Sequence, residues 1–210
     1  MRKLNKKELI IASHNDGKIS EIRELLNFFD IKTVSSKELN LIEPEENGST
    51  FIENAIIKAR SAAKLSNYIA LSDDSGLEVH SLNNDPGIYS ARWAGESKDF
   101  NGAMKKINKL LNQKGAITPD LRKASFVCSL CICWPDNHIE YVEEKIDGTI
   151  VWPPRGSLGF GYDSIFLPDN HNKTFGEMSS EEKHSWSPTK IGLSHRAKAF
   201  SKLVELHIEQ

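Results

Sequence analysis

Two spacings of apolar residues alternate along the chain, and together they predict strands interleaved with helices. Short, nearly continuous apolar runs are typical of buried strands. Such runs predict strands at 8–13, 31–35, 68–71, 77–81, 122–134, 138–150 and 164–167. Between the two longest strands, Pro135-Asp136-Asn137 is a turn signal and predicts a hairpin.

Apolar residues three or four positions apart predict amphipathic helices in the intervening segments. The first helix follows a turn at 14–17, the second an N-cap at Ser49 or Thr50, the third covers about 100–114, and the last begins at Ser194. The expected inward stripes of the first, second and last helices are Ile19, Ile22, Leu25, Leu26 and Phe29; Phe51, Ile52, Ala55, Ile56, Ala59 and Ala63; and Leu193, Ala197, Phe200, Leu203 and Val204. Interleaved elements predict an α/β or mixed α+β fold, and the length favours a single domain over residues 1–210.

Composition and charge narrow the classes of function. The chain has 27 basic and 29 acidic residues and a net charge of −2, which argues against a non-specific nucleic-acid binder. The apolar run Leu9–Ala12 is too short for a signal peptide, and no stretch approaches the ~18 apolar residues of a membrane span. The lack of such a stretch predicts no membrane partner. An odd number of cysteines, three, with no export signal predicts a reducing cytosol.

The cysteines lie close together on the predicted strand 122–134. Strand alternation places Cys131 and Cys133 on one face and Cys128 on the other. A structural zinc site needs four converging ligands, and only His138 lies nearby as a fourth. We therefore interpret the three residues as buried, apolar cysteines.

Asp73-Asp74-Ser75-Gly76 follows the predicted strand at 68–71 and is the strongest candidate for chemistry. Side chains at the carboxyl end of a strand project into the crevice where open α/β sheets bind ligands. Alternation sends Asp73 and Asp74 to opposite faces, so that one can hold a cation or a water while the other supports the structure. The competing interpretation is a solvated turn, since Asp, Ser and Gly are turn formers.

The segment Ser13-His14-Asn15-Asp16-Gly17-Lys18 joins the first strand to the first helix. The N–H groups at a helix N-terminus favour an anion, and Lys18 adds positive charge for the same phosphate. The spacing of a Walker A loop is absent, so an ordinary turn with a surface lysine is the alternative. Glu45 and Glu46, in the loop before the second helix, could join Asp74 in a sparse Mg²⁺ site, although alone they are typical of a solvated loop.

Two further motifs lie in the second half of the chain. The segment 156–163 is rich in glycine but precedes a strand, so the Rossmann fingerprint does not apply. Its glycines would let a flat ligand lie against the backbone and the ring of Phe160. Ser194-His195-Arg196 places two donors in the first turn of the last helix, where an arginine often only pairs with a surface acid.

The order of these motifs resembles the inosine/xanthosine triphosphate pyrophosphatases, hydrolases that remove non-canonical purine nucleotides. The motifs that carry the resemblance are Asn15…Lys18, Phe51-Ile52-Glu53-Asn54-Ala55, Asp73-Asp74-Ser75-Gly76-Leu77, Pro86-Gly87-Ile88-Tyr89-Ser90-Ala91-Arg92, Gly159-Phe160-Gly161-Tyr162-Asp163 and Ser194-His195-Arg196. They cover nearly the whole chain. The resemblance implies an elongated, mixed and twisted sheet flanked by helices, with a central nucleotide cleft, in a cytosolic homodimer.

The resemblance also implies roles for the matching residues. Asp74 would be the catalytic carboxylate and a Mg²⁺ ligand, with Glu45 as the other metal-associated acid unless the adjacent Glu46 takes that place. The remaining matches imply contacts with the triphosphate and the base by Ser13, His14, Asn15, Asp16, Gly17, Lys18, Ser75, Phe160, Gly161, Tyr162, Asp163, Lys183, His195 and Arg196.

Two departures from the family pattern concern His14 and Lys183. His14 stands where glycine is common, so its backbone must be unstrained. The segment between Lys183 and Ser194 is longer than the family spacing, which makes Lys190 a rival for the phosphate contact of Lys183.

The implied function is Mg²⁺-dependent hydrolysis of ITP, dITP or XTP to the nucleoside monophosphate and pyrophosphate. Arg196 and His195 would donate to the purine 6-keto group, an acceptor that ATP replaces with an amino donor. The alternatives are a nucleotide-binding sensor without catalysis and a pyrophosphatase for other modified nucleotides.

Overall fold

The structure, a computed structural model, describes residues 2–4 and 8–208 and contains a six-stranded mixed sheet. The strands of this sheet are β1 (Glu8–Ile11), β2 (Lys32–Ser35), β3 (Ala70–Val79), β4 (Lys123–Cys133), β5 (Ile139–Ile150) and β6 (Phe166–Pro168). Their order is β2-β1-β3-β4-β5-β6. β1 pairs in parallel with β2 and with β3, whereas β5 and β6 are antiparallel. The prediction of a mixed α/β fold is confirmed.

Helices flank the sheet, and side-chain caps begin the long ones. They are α1 (Asp16–Leu26), α2 (Phe51–Ser66), α3 (Ser90–Trp93), α4 (Phe100–Gln113), α5 (Ser180–His184) and α6 (His195–His207). Thr50 Oγ1 accepts from the N–H of Glu53 at 3.2 Å, and Ser194 Oγ accepts from the N–H of Ala197 at 3.1 Å. These caps confirm the predicted starts of α2 and α6.

β3 differs from its prediction. The chain was expected to form strands at 68–71 and 77–81 with a turn between them, but one continuous strand runs from Ala70 to Val79. Asp73 and Asp74 therefore lie inside a strand, only 1% and 6% exposed. A strand interior can hold ionised carboxylates when cations neutralise them, and both carboxylates have such partners. The prediction that alternation separates their side chains is confirmed.

The segment before α6 contains a second, two-stranded sheet that apolar spacing did not indicate. Its antiparallel strands are β7 (Trp186–Ser187) and β8 (Lys190–Ile191). The Trp186 ring lies 4.8 Å from the ring of Phe29 and 6.0 Å from that of Phe200. The long spacing between Lys183 and Ser194 is therefore a hairpin fastened by aromatic packing.

Contacts between Cα atoms divide the chain into two compact units. The first comprises Met1–Asp74, Cys128–Glu144 and His184–Gln210, and the second comprises Ser75–Val127 and Lys145–Lys183. The expected single domain, its elongated shape and its central cleft remain predictions.

The first unit has an apolar cluster on each face of its strands. Residues of α1 and α6 belong to one cluster together with Cys128, and residues of α2 belong to the other together with Cys131 and Cys133. All three thiols are buried and free, as predicted. Across the described part of the chain, no helix is long and apolar enough to cross a membrane.

In the second unit, an aromatic group forms the centre of the packing. The Phe126 ring lies 4.6 Å from that of Phe166 and 5.9 Å from that of Phe175. The buried Tyr162 donates its hydroxyl to the carbonyl of Ser90 at 2.8 Å, which ties the glycine-rich loop to α3.

Candidate active site

Asp73 is the centre of a buried group of charges in the first unit. Its Oδ1 lies 2.7 Å from Lys18 Nζ, its Oδ2 accepts from Arg196 Nε at 2.8 Å, and the Cys128 thiol donates to Oδ2 at 3.1 Å. Burial acts to raise the pKa of Asp73, but the charges of Arg196 and Lys18 outweigh it and hold the pKa well below its usual range. Asp73 is therefore the structural carboxylate of the pair.

Arg196 is only 2% exposed and joins Asp73 to a second buried acid. Its Nη1 donates to Glu21 Oε2, on the inward face of α1. Burial acts to raise the pKa of Glu21, but Arg196 and a hydrogen bond from His184 lower it to about 2. The interpretation of Arg196 as a surface residue paired with a surface acid is wrong. A carboxylate in the α1 stripe was the sequence signal for its buried partner.

Asp74 lies on the opposite face of β3, in a different environment. Its Oδ1 accepts from Lys58 Nζ at 2.7 Å, and the same ammonium lies 2.7 Å from Glu46 Oε1. Asp74 Oδ2 is buried without a hydrogen-bond partner. Burial is the largest influence on Asp74 and raises its pKa in spite of Lys58. Asp74 thus has an unused acceptor and an elevated proton affinity.

Lys58 was missed by the sequence analysis, although a signal for it existed. It lies in α2 at helical spacing from Phe51, Ala55 and Ala62, inside an apolar stripe. Burial acts to lower the pKa of Lys58, but Asp74 and Glu46 raise it. A lysine within an inward-facing apolar stripe indicates a buried anion nearby. Lys58 contacts two such anions, Asp74 and Glu46.

The structure distinguishes between the two neighbouring acids of the loop before α2. Glu46 shares Lys58 with Asp74, whereas Glu45 is exposed. The loop is held close to α2 because the N–H of Gly48 donates to Asn54 Oδ1 at 2.9 Å. A side chain at position 48 would collide with Asn54, since a Cβ there would lie 2.7 Å from that oxygen.

The predicted phosphate turn forms the N-terminus of α1. Ser13 Oγ accepts from the N–H of Asn15 at 3.1 Å, and Asn15 Oδ1 accepts from the N–H of Lys18 at 3.2 Å. Asp16 points to the surface and pairs with Lys37 at 2.6 Å. Gly17 lies in the first turn of the helix.

The backbone conformation at His14 does not require the glycine that is common at this position. It is absent from the described residues with positive φ, so its backbone is unstrained as expected. Its Nε2 lies 2.9 Å from the carbonyl oxygen of Leu41, which ties the phosphate turn to the loop that carries Glu46.

The predicted base-holding loop lies in the second unit, together with Lys183. Lys183 is 2% exposed, and its Nζ donates to Asp163 Oδ2 at 2.9 Å. Gly159 has φ +82°, and a Cβ there would lie 2.0 Å from Asp163 Oδ2 and 2.4 Å from Lys183 Nζ. Phe160 is 39% exposed. The loop therefore carries the exposed ring of Phe160 close to the Asp163–Lys183 ion pair. Position 159 requires glycine because a side chain there would collide with that ion pair.

Three further predicted residues are Ser75, Lys190 and His195. Ser75 follows Asp74 in β3 and is partly exposed. Lys190, the rival of Lys183, is exposed in β8. His195 is buried, and burial together with the charge of Arg196 holds its pKa well below the usual range, so its imidazole is neutral at pH 7.

Among the residues that the structure describes, the side chains around Asp74 do not form a complete set of metal ligands. Within residues 2–4 and 8–208, no three His, Cys, Asp or Glu side chains come together as a metal-binding group. A sparse Mg²⁺ site needs only one or two carboxylates, with water and substrate phosphates as further ligands. Asp74 and Glu46 provide two carboxylates on Lys58, and Lys18 and Lys58 provide positive charge in the same unit.

Comparison with known proteins identifies the class. The model of the Ham1 family matches residues 9–206, and the chain belongs to this family. This confirms the resemblance that the motifs indicated. The HAM1 protein from Coxiella burnetii has a similar structure, with a TM-score of 0.81 and 35% identity, covering 95% of this chain and 97% of that one.

Two relatives whose names state an activity are more similar to this chain in sequence than the Coxiella burnetii protein is. The dITP/XTP pyrophosphatase of Rhodopseudomonas palustris is 57% identical over 199 residues, which cover 95% of each chain. The dITP/XTP pyrophosphatase of a Bradyrhizobium species is 56% identical over 202 residues, covering 96% of this chain and 94% of its own.

Proposed function

We propose that this chain is a nucleoside-triphosphate pyrophosphatase that hydrolyses non-canonical purine nucleotides, ITP, dITP and XTP, to the monophosphate and pyrophosphate. Membership of the Ham1 family and the names of close relatives support the reaction. The observation that carries the proposal is the buried Oδ2 of Asp74, an acceptor without a hydrogen-bond partner in a carboxylate whose other oxygen contacts Lys58.

The residues at Asp74 fit a divalent cation. A buried carboxylate oxygen without a donor is costly unless a cation or water occupies it, and Mg²⁺ prefers oxygen ligands. We assign Asp74 and Glu46 as the acids that would hold Mg²⁺, with Glu46 favoured over Glu45 because it shares Lys58 with Asp74. When bound, the ion neutralises charge on the phosphates and makes a water more acidic.

Asp74 is the catalytic carboxylate in this proposal. As an ionised group it would orient the attacking water and accept its proton. Lys58 fixes Oδ1, so that the carboxylate keeps one orientation. Lys18, at the N-terminus of α1, and Lys183 would hold the anionic oxygens, because positioning and charge dominate phosphoryl chemistry.

Arg196 and His195 would read the base. The 6-keto oxygen of ITP and XTP accepts a hydrogen bond, whereas the 6-amino group of ATP donates one. Because Arg196 is always charged and His195 is neutral, the arginine provides the charge-assisted bond and His195 a single N–H. Phe160 would lie against the flat purine.

A nucleotide panel with Mg²⁺ tests the proposal, with pyrophosphate and orthophosphate measured separately. We expect pyrophosphate from ITP, dITP and XTP and little product from ATP. Binding without product would favour a sensor. Orthophosphate alone, or a preference for modified pyrimidine nucleotides, would replace the proposal with another hydrolase.

Two wider expectations accompany this function. We propose the cytosol as the compartment, which is supported by three buried cysteines that carry no disulfide. We also propose a homodimer, on family grounds, and a mass of one chain by light scattering at micromolar concentration would contradict it.

A further inference from the structure

His184 is a buried histidine that none of the motifs accounts for. It is the last residue of α5 and is 6% exposed. Its Nε2 lies 3.0 Å from Glu21 Oε1 and its Nδ1 lies 3.1 Å from Ser194 Oγ. It therefore connects α1 to the N-cap of α6, the residue two positions before Arg196.

The hydrogen bonds around His184 define the role of its Nε2. Glu21 is ionised, with a pKa of about 2, so it only accepts and Nε2 must carry a proton. Ser194 Oγ accepts from the N–H of Ala197 at 3.1 Å and contacts Nδ1 with its remaining hydrogen-bonding capacity. Both ring nitrogens of His184 therefore have a partner.

That arrangement fixes both oxygens of Glu21. Oε1 accepts from His184 and Oε2 accepts from Arg196 Nη1. The guanidinium is then held at two points, by Glu21 and by Asp73. Without His184, the Glu21 carboxylate loses its second anchor and can rotate about its terminal torsion, which is a soft one. The guanidinium plane would follow.

We infer that His184 is a positioning residue for base recognition, which fixes the guanidinium of Arg196 through Glu21 while the N-cap hydroxyl of Ser194 holds the imidazole at Nδ1. The inference rests on the proposed function, because it assigns Arg196 to the purine. His184 itself is expected to touch neither the base nor the phosphates.

Two amide variants separate the two nitrogens of His184. In His184→Gln the amide can reach the place of Nε2 and donate to Glu21, whereas in His184→Asn it can replace only Nδ1. We expect His184→Gln to keep the ratio of kcat/KM for ITP over ATP close to wild type. His184→Asn should lower that ratio about tenfold at most, the value of one hydrogen bond. Turnover of ATP should not change.

His207 offers a matched control in α6, the helix that carries Arg196. It is also buried, and its Nδ1 lies 3.1 Å from the carbonyl oxygen of Arg2, far along α6 from the N-cap. His207→Asn should cost stability and leave the ratio unchanged. Equal ratios in His184→Gln and His184→Asn would overturn the inference, as would a fall in the ratio for His207→Asn.

A measurement on the wild-type protein covers the case in which His184→Asn does not fold. Nitrogen-15 NMR of histidine-labelled protein shows which ring nitrogens carry a proton. We expect a His184 signal with a proton on Nε2, and an unprotonated Nε2 at pH 7 would refute the arrangement. If wild type releases no pyrophosphate from any purine triphosphate, the proposed function fails; if wild type discriminates and the variants do too, only this inference fails.

Discussion

Asp73 and Asp74 are adjacent in β3, yet the pKa of the first carboxyl is held low and that of the second is raised. Two cations contact Asp73, whereas burial dominates at Asp74. A pKa that differs between the folded and unfolded states changes the free energy of unfolding. Ionisation of Asp73 therefore stabilises the fold, whereas ionisation of Asp74 destabilises it.

Substitution of each aspartate by asparagine should therefore have opposite effects. Asp73→Asn removes the anion between Lys18 and Arg196 and should lower the free energy of unfolding by about 3–5 kcal/mol. Asp74→Asn should leave it unchanged or raise it, while turnover of ITP falls about a hundredfold or more, as for other essential proton-transfer groups. Denaturant unfolding and pyrophosphate release check both. A marked loss of stability in Asp74→Asn would show that the pairing of Asp74 with Lys58 outweighs the cost of its burial.

Stability should fall on acidification below pH 4.5 because of Glu21. Its pKa is lowered from 4.5 to about 2, so its contribution is complete above 4.5 and disappears as the pH falls towards 2. The size of the contribution is on the order of 3 kcal/mol. Asp73 acts in the same direction below its usual pKa of 3.8, whereas the raised pKa of Asp74 acts in the opposite direction.

Unfolding free energies of wild type and Glu21→Gln between pH 6 and pH 2 measure this contribution. The variant should be less stable at pH 6, and the difference should shrink as the pH falls. A constant difference across the range would show that the Glu21 charge does not stabilise the fold.

Features that depend only on neighbouring residues could be predicted from the local sequence pattern. Thr50 and Ser194 were predictable as N-caps because a cap depends on a few neighbouring residues. The break in β3 was predicted wrongly because Asp73 is neutralised by Arg196, 123 residues away in the sequence. No local spacing carries that information.

The sequence could not decide whether Glu45 or Glu46 lies beside Asp74, because that choice also depends on a contact between distant residues. Loop residues have no periodicity that fixes which side chain turns inward, and only the contact with Lys58 selects Glu46. His184 likewise follows a lysine in a segment without a recognisable pattern, and its partners lie on α1 and at the start of α6.

Metal dependence should distinguish the two neighbouring glutamates. Chelation of Mg²⁺ should stop pyrophosphate release. Glu46→Gln should raise the half-saturating Mg²⁺ concentration on the order of tenfold or more, the scale seen when groups around a metal are removed. Glu45→Gln, a change of equal charge at an exposed neighbour, is the control and should behave as wild type. A larger effect at Glu45 would restore it as the metal-associated acid.

Arg196 and Lys18 should differ in what they recognise. Arg196→Lys keeps a charge beside Asp73 but loses the guanidinium, so the ratio of kcat/KM for ITP over ATP should shrink about ten- to a hundredfold, at 1.5–3 kcal/mol for a charge-assisted bond. Lys18→Ala should weaken ITP, XTP, GTP and ATP alike, because a phosphate contact carries no information about the base. Parallel losses on ITP and ATP in Arg196→Lys would show that Arg196 does not read the purine.

The division of the chain into two units has a consequence for how this protein can be cut. The chain passes from one unit to the other four times, at 74/75, 127/128, 144/145 and 183/184, so neither unit is a continuous piece of chain. A fragment that ends before Arg196 would leave Asp73 buried with its carboxylate lacking one of its cations. A single cut in the chain therefore cannot separate the two units.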